Sequence, residues 1–184
     1  DNGSWTNNSK NIALINTRLS IQDPSTKGSQ PMTSDDGRFV IIFNGEIYNF
    51  KYLKKNYFFN ENFKSNSDTE VILKLFTRYN FKFLSLLEGM FAIAIYDKQN
   101  NKLFIARDEF GIKPLYYFID RNKFIFSSEI KTFFKLNIKR EINPRSLSSY
   151  LTSEYYENKT HTYFKNILKL ESGSYMEINN GRVK

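Results

Sequence analysis

The feature that most constrains the fold is a pair of strand-like segments that are apolar on both faces. Residues 39–43 read Phe-Val-Ile-Ile-Phe, and residues 90–96 are apolar throughout. Both segments lack the polar–apolar alternation of a strand that has one face in water. Because such strands need cover on each side, the sequence predicts stacked antiparallel sheets with helices outside them.

Hairpins and helices are predicted for most of the remaining chain, which gives an α+β class. Further strands are predicted at 11–15, 102–106, 115–119, 124–128 and 175–178, with turns at 97–101, 120–122 and 179–181. Ser67-Asp68-Thr69-Glu70 has the form of a capping box, with Ser67 as the N-cap of a helix over 68–79. Other helices are predicted over 81–87, over 129–136 and from Pro144, and loops over 1–9 and 23–37.

Composition excludes several kinds of chemistry from these 184 residues. They contain no Cys and one His, His161, so disulfides, thiolate zinc sites and iron–sulfur clusters are excluded and no metal site is predicted. A serine–histidine triad is poorly supported, and no cysteine nucleophile is present. No apolar run approaches the ~18 residues that a membrane span needs.

The net charge gives a weak indication of nucleic-acid binding. The 27 Lys and Arg against 19 Asp and Glu leave +8, but these cations are scattered and form no basic run of five or more. Without a concentrated patch, nucleic-acid binding ranks last among the functions considered, and no nucleic-acid partner is predicted.

Several polar groups stand directly after predicted strands or at the start of a predicted helix. Asn44-Gly45 follows the strand at 39–43, and its amide and N–H could point two donors at an oxyanion. The alternative is an ordinary hairpin turn, which Asn-Gly favours. Asp68, at a helix start, could bind an ammonium group or simply favour the helix dipole.

Arg18 follows the first predicted strand, and its guanidinium could hold a carboxylate through two parallel hydrogen bonds. A solvated or structural arginine is the alternative. Together, a cation, an anion and paired donors would suit an amino acid with a side-chain carbonyl, although spacing alone does not establish that they converge. Arg107-Asp108 is interpreted as a buried pair that supports the core.

Eight segments, in this order, carry a resemblance to a known family. The sequence resembles the glutaminase domain of glutamine-hydrolysing asparagine synthetases, which are class II glutamine amidotransferases. The match covers about residues 1–131 and continues more weakly to 184. Its segments are Arg18-Leu19-Ser20-Ile21, Gln30-Pro31-Met32, Phe43-Asn44-Gly45-Glu46-Ile47-Tyr48-Asn49, Ser67-Asp68-Thr69-Glu70-Val71-Ile72, Leu87-Glu88-Gly89-Met90-Phe91-Ala92, Arg107-Asp108, Phe110-Gly111-Ile112-Lys113-Pro114-Leu115-Tyr116-Tyr117 and Phe126-Ser127-Ser128-Glu129-Ile130-Lys131.

The resemblance implies an N-terminal-nucleophile hydrolase fold, with two antiparallel sheets between helical layers in the order α-β-β-α. It also implies that an N-terminal cysteine attacks the carboxamide of glutamine, releases ammonia and forms a thioester that water hydrolyses. By motif position, Arg18 would hold the glutamine α-carboxylate and Asp68 its α-ammonium. Asn44 and Gly45 would form the oxyanion hole, and Glu46 would orient the substrate.

Departures from the family pattern lead to two expectations about the chain. With no Cys present, residues 1–184 are expected to be one glutaminase domain that lacks its N-terminal part. The synthetase domain, with its ATP and Mg, is expected to be absent, so no cofactor is predicted for this domain. Asn16-Thr17 and Glu171-Ser172-Gly173 also differ from the usual family residues.

The resemblance implies glutamine and a C-terminal synthetase domain of the same protein as partners. A cytoplasmic location and no membrane partner are expected, with a homodimer left open. Two alternatives also stay open: an amidotransferase of the same family that acts on a sugar or peptide, and a catalytically dead module without the nucleophile.

Overall fold

A six-stranded antiparallel sheet forms the centre of the molecule. The computed structural model describes residues 1–9, 11–19, 22–121, 123–153, 160–179 and 182–183. In spatial order the strands are β11 (Arg182–Val183), β10 (Tyr175–Asn179), β6 (Lys102–Arg107), β5 (Gly89–Asp97), β4 (Phe39–Ile47) and β3 (Met32–Thr33). Ser20 and Ile21 of the quoted motif, and Asn122, Asn180 and Gly181 of the predicted turns, lie outside the described residues.

A second layer covers one face of this sheet and consists of two smaller antiparallel sheets. One pairs β1 (Asn2–Thr6) with β2 (Ala13–Thr17), and the other has the order β8 (Phe124–Ser127), β7 (Tyr116–Ile119), β9 (Leu168–Lys169). Leu14 of β2 and Phe126 of β8 pack in one cluster with Val40 and Tyr96 of the central sheet. The predicted stacking of antiparallel sheets is therefore confirmed, with the second layer in two pieces.

Helices cover the two outer faces. The free face of the central sheet packs against α1 (Phe50–Tyr57), α2 (Asp68–Tyr79) and a 3-10 helix at Asn80–Leu86. On the other side, α3 (Lys131–Lys135) contributes Phe133 to a cluster with strands β7 and β8, and α4 (Pro144–Ser153) follows. The α+β class is confirmed. Among the described residues, no helix combines the length and the apolar character needed to cross a membrane.

The capping box at the start of α2 is half formed. Ser67 Oγ accepts a hydrogen bond from the Glu70 N–H at 3.3 Å, as predicted. The Glu70 carboxylate, however, accepts from the N–H groups of Lys64 and Ser65 at 2.8 and 2.7 Å. Glu70 thus fastens the segment before the helix and not the N-cap residue itself.

The predicted end of the strand at residue 43 is wrong, because β4 continues through Asn44 and Gly45 to Ile47. Asn44 pairs with Ala92 and Gly45 with Phe91 of β5. Asn-Gly favours a turn when only local preferences act, but here the pairing with a strand some fifty residues later keeps the backbone extended. The chain turns instead just after Ile47, before α1.

Several other elements differ from the sequence predictions. Residues 2–6 were expected in a loop but form β1, where Trp5 pairs with Leu14 and its ring lies 5.6 Å from that of Tyr96. The predicted loop over 23–37 contains the short strand β3. Helix α1 was not predicted, because Lys and Asn dominate its exposed positions while burial of Phe50 and Leu53 fixes it to the sheet.

Candidate active site

A cavity of about 260 Å³ lies between the end of β4, the start of α2 and the segment after β2. All five residues singled out from the sequence line it: Arg18, Asn44, Gly45, Glu46 and Asp68. The volume is just below the roughly 300–1,000 Å³ of sites for drug-sized ligands, which suits a smaller molecule.

The edge of β4 that faces away from β5 presents backbone N–H groups to this cavity. The Phe43 N–H donates to Gln30 Oε1 at 2.6 Å, and the Ile47 N–H donates to Asp68 Oδ2 at 3.0 Å. Because N–H groups alternate between the two edges of a strand, the Gly45 N–H lies on the same edge, between these two. The strand therefore offers a donor in the middle of the cavity wall.

Gly45 occupies a position that only glycine can fill. A Cβ atom on Gly45 would lie 2.1 Å from the Met90 carbonyl oxygen and 2.8 Å from Phe91 Cα. The backbones of β4 and β5 approach closely here, so any side chain would push the two strands apart. This close approach explains why an Asn-Gly pair stands within a strand.

Asn44 provides a second donor near the same place. Its side chain is exposed, and Nδ2 lies 3.2 Å from Ser128 Oγ, directly after β8. The second layer of the fold thus holds the amide of Asn44 at the rim of the cavity. Asn44 and Gly45 are adjacent in the chain, and both line the cavity.

Two acidic side chains form one wall of the cavity. Burial raises the pKa of Asp68 above its usual value, the N–H groups of Ile47 and Thr69 act in the opposite direction, and the nearby charge of Glu46 raises it further. Glu46 Oε1 accepts from Gln22 Nε2 at 2.7 Å. A cation placed beside Asp68 would favour the charged form of this acid.

Arg18 also lies in the wall of the cavity and is held by oxygen acceptors. Nη1 donates to the Asp23 carbonyl at 2.9 Å, and Nη2 donates to the Ser25 carbonyl at 3.1 Å and to Asp1 Oδ2 at 2.7 Å. The Asp1 side chain is half exposed, with 52% of its surface accessible. A carboxylate from a ligand would therefore compete with an exposed, replaceable partner.

Two buried polar atoms near this wall have no hydrogen-bond partner within the described part of the chain: Asn16 Oδ1 and Arg18 Nε. Native interiors leave few such atoms unpaired.

The predicted supporting role of Arg107-Asp108 agrees with the structure. Both are buried. Asp108 accepts from the N–H groups of Ile112 and Lys113 at 2.8 and 3.0 Å, and Arg107 donates to the carbonyls of Gly111 and Lys113 at 2.5 and 2.7 Å. They fix the loop that brings Lys113 to the cavity.

Other residues that line the cavity were not predicted as site residues, among them Gln22, Asp23, Gln30 and Lys113. Gln22 and Asp23 directly follow the Arg18–Ile21 motif, and Gln30 stands in another quoted segment, so adjacency to the motifs was the available signal. Lys113 likewise stands in a quoted segment, Phe110–Tyr117, although its composition indicated only a turn.

A larger cavity of about 390 Å³ lies elsewhere, against α2. Ion pairs close its rim: Asp35 with Lys64 and Lys74, and Glu61 with Arg78. The whole lining of this cavity carries four cations and four anions. Because these charges balance, we assign the chemistry to the smaller cavity. Within the described ranges, no group of three or more His, Asp or Glu side chains is arranged to hold a metal ion.

Comparison with known proteins identifies relatives across nearly the whole chain. Glutamine-hydrolyzing asparagine synthetase 2 of Bacillus subtilis is 43% identical over 88% of this chain and 22% of its own length. Glutamine-hydrolyzing asparagine synthetase B of Escherichia coli is 37% identical over 83% of this chain and 27% of its own. Amidase chry2 of Gibberella zeae is 33% identical over 95% of this chain and 25% of its own length. The chain thus spans about a quarter of the length of these relatives.

Solved structures support the fold. Glutamine phosphoribosylpyrophosphate amidotransferase from B. subtilis superimposes with a TM-score of 0.68 over 94% of this chain and 34% of its own, at 21% identity. The family of glutamine amidotransferase domains matches residues 1–184. Since that match covers the whole sequence, the chain belongs to the glutamine amidotransferase domain family.

Proposed function

We propose that this chain is the glutaminase domain of a longer, glutamine-hydrolysing asparagine synthetase. The observation that carries the proposal is that Arg18, Asn44, Gly45, Glu46 and Asp68 line a single cavity. The similarity to asparagine synthetases of B. subtilis and E. coli supports this choice of enzyme.

The charges of the cavity suit the two ends of an α-amino acid. Arg18 would bind the α-carboxylate of glutamine, displacing the exposed Asp1 side chain from Nη2. Asp68 and Glu46 would bind the α-ammonium. Its positive charge would offset the free-energy cost of burying the Asp68 carboxylate beside Glu46. The side-chain carbonyl would then lie against the edge of β4.

At that edge, Asn44 Nδ2 and the Gly45 N–H would stabilise the oxyanion that forms when a nucleophile adds to the carboxamide carbon. The 184 residues contain no Cys, so the proposal places the cysteine nucleophile elsewhere in the protein. Its sulfur bonds to the carbonyl carbon, the carbon–nitrogen bond breaks, and the thiol proton leaves with nitrogen as ammonia. Water then cleaves the thioester to give glutamate and restores the thiol.

The ammonia would pass to a synthetase domain outside these residues, where aspartate activated by ATP and Mg accepts it. No residue of this chain is assigned to ATP or Mg. We place the enzyme in the cytoplasm. The similarity to an amidase of Gibberella zeae favours a second candidate, in which the same glutaminase domain serves a different acceptor.

The test uses the full-length protein purified from its native source, with its N-terminus determined by intact mass. Glutamate release from L-glutamine tests the glutaminase, and asparagine formation from aspartate and ATP tests the acceptor. Glutamate release without asparagine would favour the second candidate. Absence of glutamate release would reject the glutaminase assignment.

Asn44→Ala tests the oxyanion site in the same protein. Because one of two donors is lost, we expect kcat for glutamate release to fall by roughly 10²–10³-fold. Asn60→Ala, at an exposed residue after α1, is the matched control and should leave kcat unchanged. Undiminished turnover in the Asn44 variant would contradict the role of this amide.

A further inference from the structure

Asp23 is a buried residue of the cavity lining whose carboxylate is bound by its neighbours. Its side chain shapes the segment that follows β2: Oδ1 accepts from the Ser25 N–H at 2.9 Å and from Ser25 Oγ at 2.6 Å. These two bonds close a tight turn over residues 23–25. The Ser25 hydroxyl and the N–H groups of Asn66 and Ser25 hold the pKa of Asp23 below its usual value, so it is ionised at neutral pH.

The turn that Asp23 closes is also the turn that holds Arg18. The carbonyl oxygens of Asp23 and Ser25 accept from Arg18 Nη1 and Nη2 at 2.9 and 3.1 Å. Gly28 packs against the same guanidinium, and a Cβ atom there would lie 2.5 Å from Nη1. The direction of these two carbonyls therefore decides where the cation of the site lies.

The second oxygen of Asp23 bonds the segment that leads to Asp68. Oδ2 accepts from the Asn66 N–H at 2.8 Å, directly before the N-cap Ser67 and two residues before Asp68. Asp68 in turn accepts from the Ile47 N–H at 3.0 Å. The Asp23 carboxylate thus connects the turn whose carbonyls hold Arg18 with the start of the helix that contains Asp68.

We propose that Asp23 is a positioning residue that fixes the separation between Arg18 and Asp68 and thereby selects ligands that carry both an α-carboxylate and an α-ammonium group. This inference rests on the proposed glutamine site. A ligand with both charged groups must match the spacing of Arg18 and Asp68, whereas a ligand with one of them needs only one of these side chains.

The experiment compares three ligands in the full-length protein. L-glutamine is measured by KM and kcat. Glutaramate, which lacks the α-ammonium, and 4-aminobutanamide, which lacks the α-carboxylate, are measured as competitive inhibitors. For Asp23→Ala we expect the KM of L-glutamine to rise about 10- to 100-fold, since a buried donor loses its acceptor and the spacing relaxes. The kcat should change much less, and both inhibition constants should stay close to wild type.

Asp36→Ala is the matched control. Asp36 Oδ1 accepts from Ser34 Oγ at 2.5 Å and from the Arg38 N–H at 3.0 Å, so it closes a similar turn on an exposed part of the same long segment. It does not line the candidate cavity, and we expect all three constants to stay unchanged. Asp23→Asn, which keeps one oxygen acceptor, should give a smaller rise in KM and serves if the alanine variant fails to fold.

Three outcomes decide the matter. A selective rise in the KM of L-glutamine supports the inference. Equal weakening of all three ligands, or no change in any of them, overturns it while leaving the proposed function intact. If the wild-type protein neither turns over glutamine nor is inhibited by either analogue, the proposed function falls and the inference falls with it.

Discussion

Arg18 reaches the cavity with its guanidinium already oriented by two backbone carbonyls. A pre-oriented guanidinium binds a carboxylate through a planar pair of hydrogen bonds that an ammonium group cannot reproduce. The sequence placed a cation after the first strand, but the carbonyls that aim it belong to Asp23 and Ser25, outside the recognisable motif. The contact could be suspected from the sequence, whereas its geometry could not.

Arg18→Lys in the full-length protein tests this contact. We expect the KM for L-glutamine to rise roughly ten- to hundredfold, because a charge-assisted pair is replaced by a single point charge. Arg38→Lys is the control, since that guanidinium bonds Asp97 at 2.6 and 3.0 Å and does not line the cavity. An unchanged KM in Arg18→Lys would exclude the carboxylate-binding role.

At the scale of elements, β4 illustrates why local patterns gave the strand but not its end. Residues 39–43 were predicted correctly because an apolar, β-branched run is a local signal. The continuation through Asn44 and Gly45 depends on β5, which contributes Ala92 and Phe91 as partners. Gln30 and Asp68 then bind the N–H groups of Phe43 and Ile47 on the other edge of β4.

Gln30 links β4 to α2 and should contribute to stability. Its Oε1 accepts from the Phe43 N–H at 2.6 Å, and its Nε2 donates to Thr69 Oγ1 at 3.1 Å. Gln30→Met leaves a buried N–H without an acceptor, so we expect the free energy of unfolding to fall by about 1–3 kcal/mol. Urea denaturation with an unchanged m value measures this loss.

Thr69→Val is the matched comparison for Gln30→Met, because it removes only the bond to Nε2. Thr69→Val should lower the free energy of unfolding clearly less than Gln30→Met does. Equal losses in the two variants would show that the bond to β4 contributes nothing to stability.

For the whole molecule, the carboxylate of Asp97, the last residue of β5, couples the free energy of unfolding to pH. Burial acts to raise the pKa of Asp97, but bonds from Arg38 and from Asn100 and Gln99 outweigh it and lower the pKa to about 2. Because the folded value is depressed, the stabilisation is fully present above the unfolded pKa of about 3.9. It is lost as the pH falls from there towards about 2.

Asp97→Asn should therefore lower the free energy of unfolding at pH 7 and flatten its decline in acid. We expect a difference of at most about 2 kcal/mol, reduced by solvent screening because the Arg38 side chain is 36% exposed. Unfolding midpoints measured at several pH values give the slope, with the exposed Glu109→Gln as control. A slope identical to wild type between pH values of about 5 and 2 would contradict the coupling.

Local sequence patterns were enough to predict the α+β class, most strands, the start of α2 and the set of candidate residues, because apolar runs, capping patterns and ordered motifs act over a few neighbouring positions. Tertiary structure alone decided that Asn44-Gly45 stays in a strand, that residues 2–6 pair with β2, and that one cavity gathers Arg18, Asn44 and Asp68. These outcomes depend on contacts between residues far apart in the chain, and the free energy of such contacts outweighs local preference.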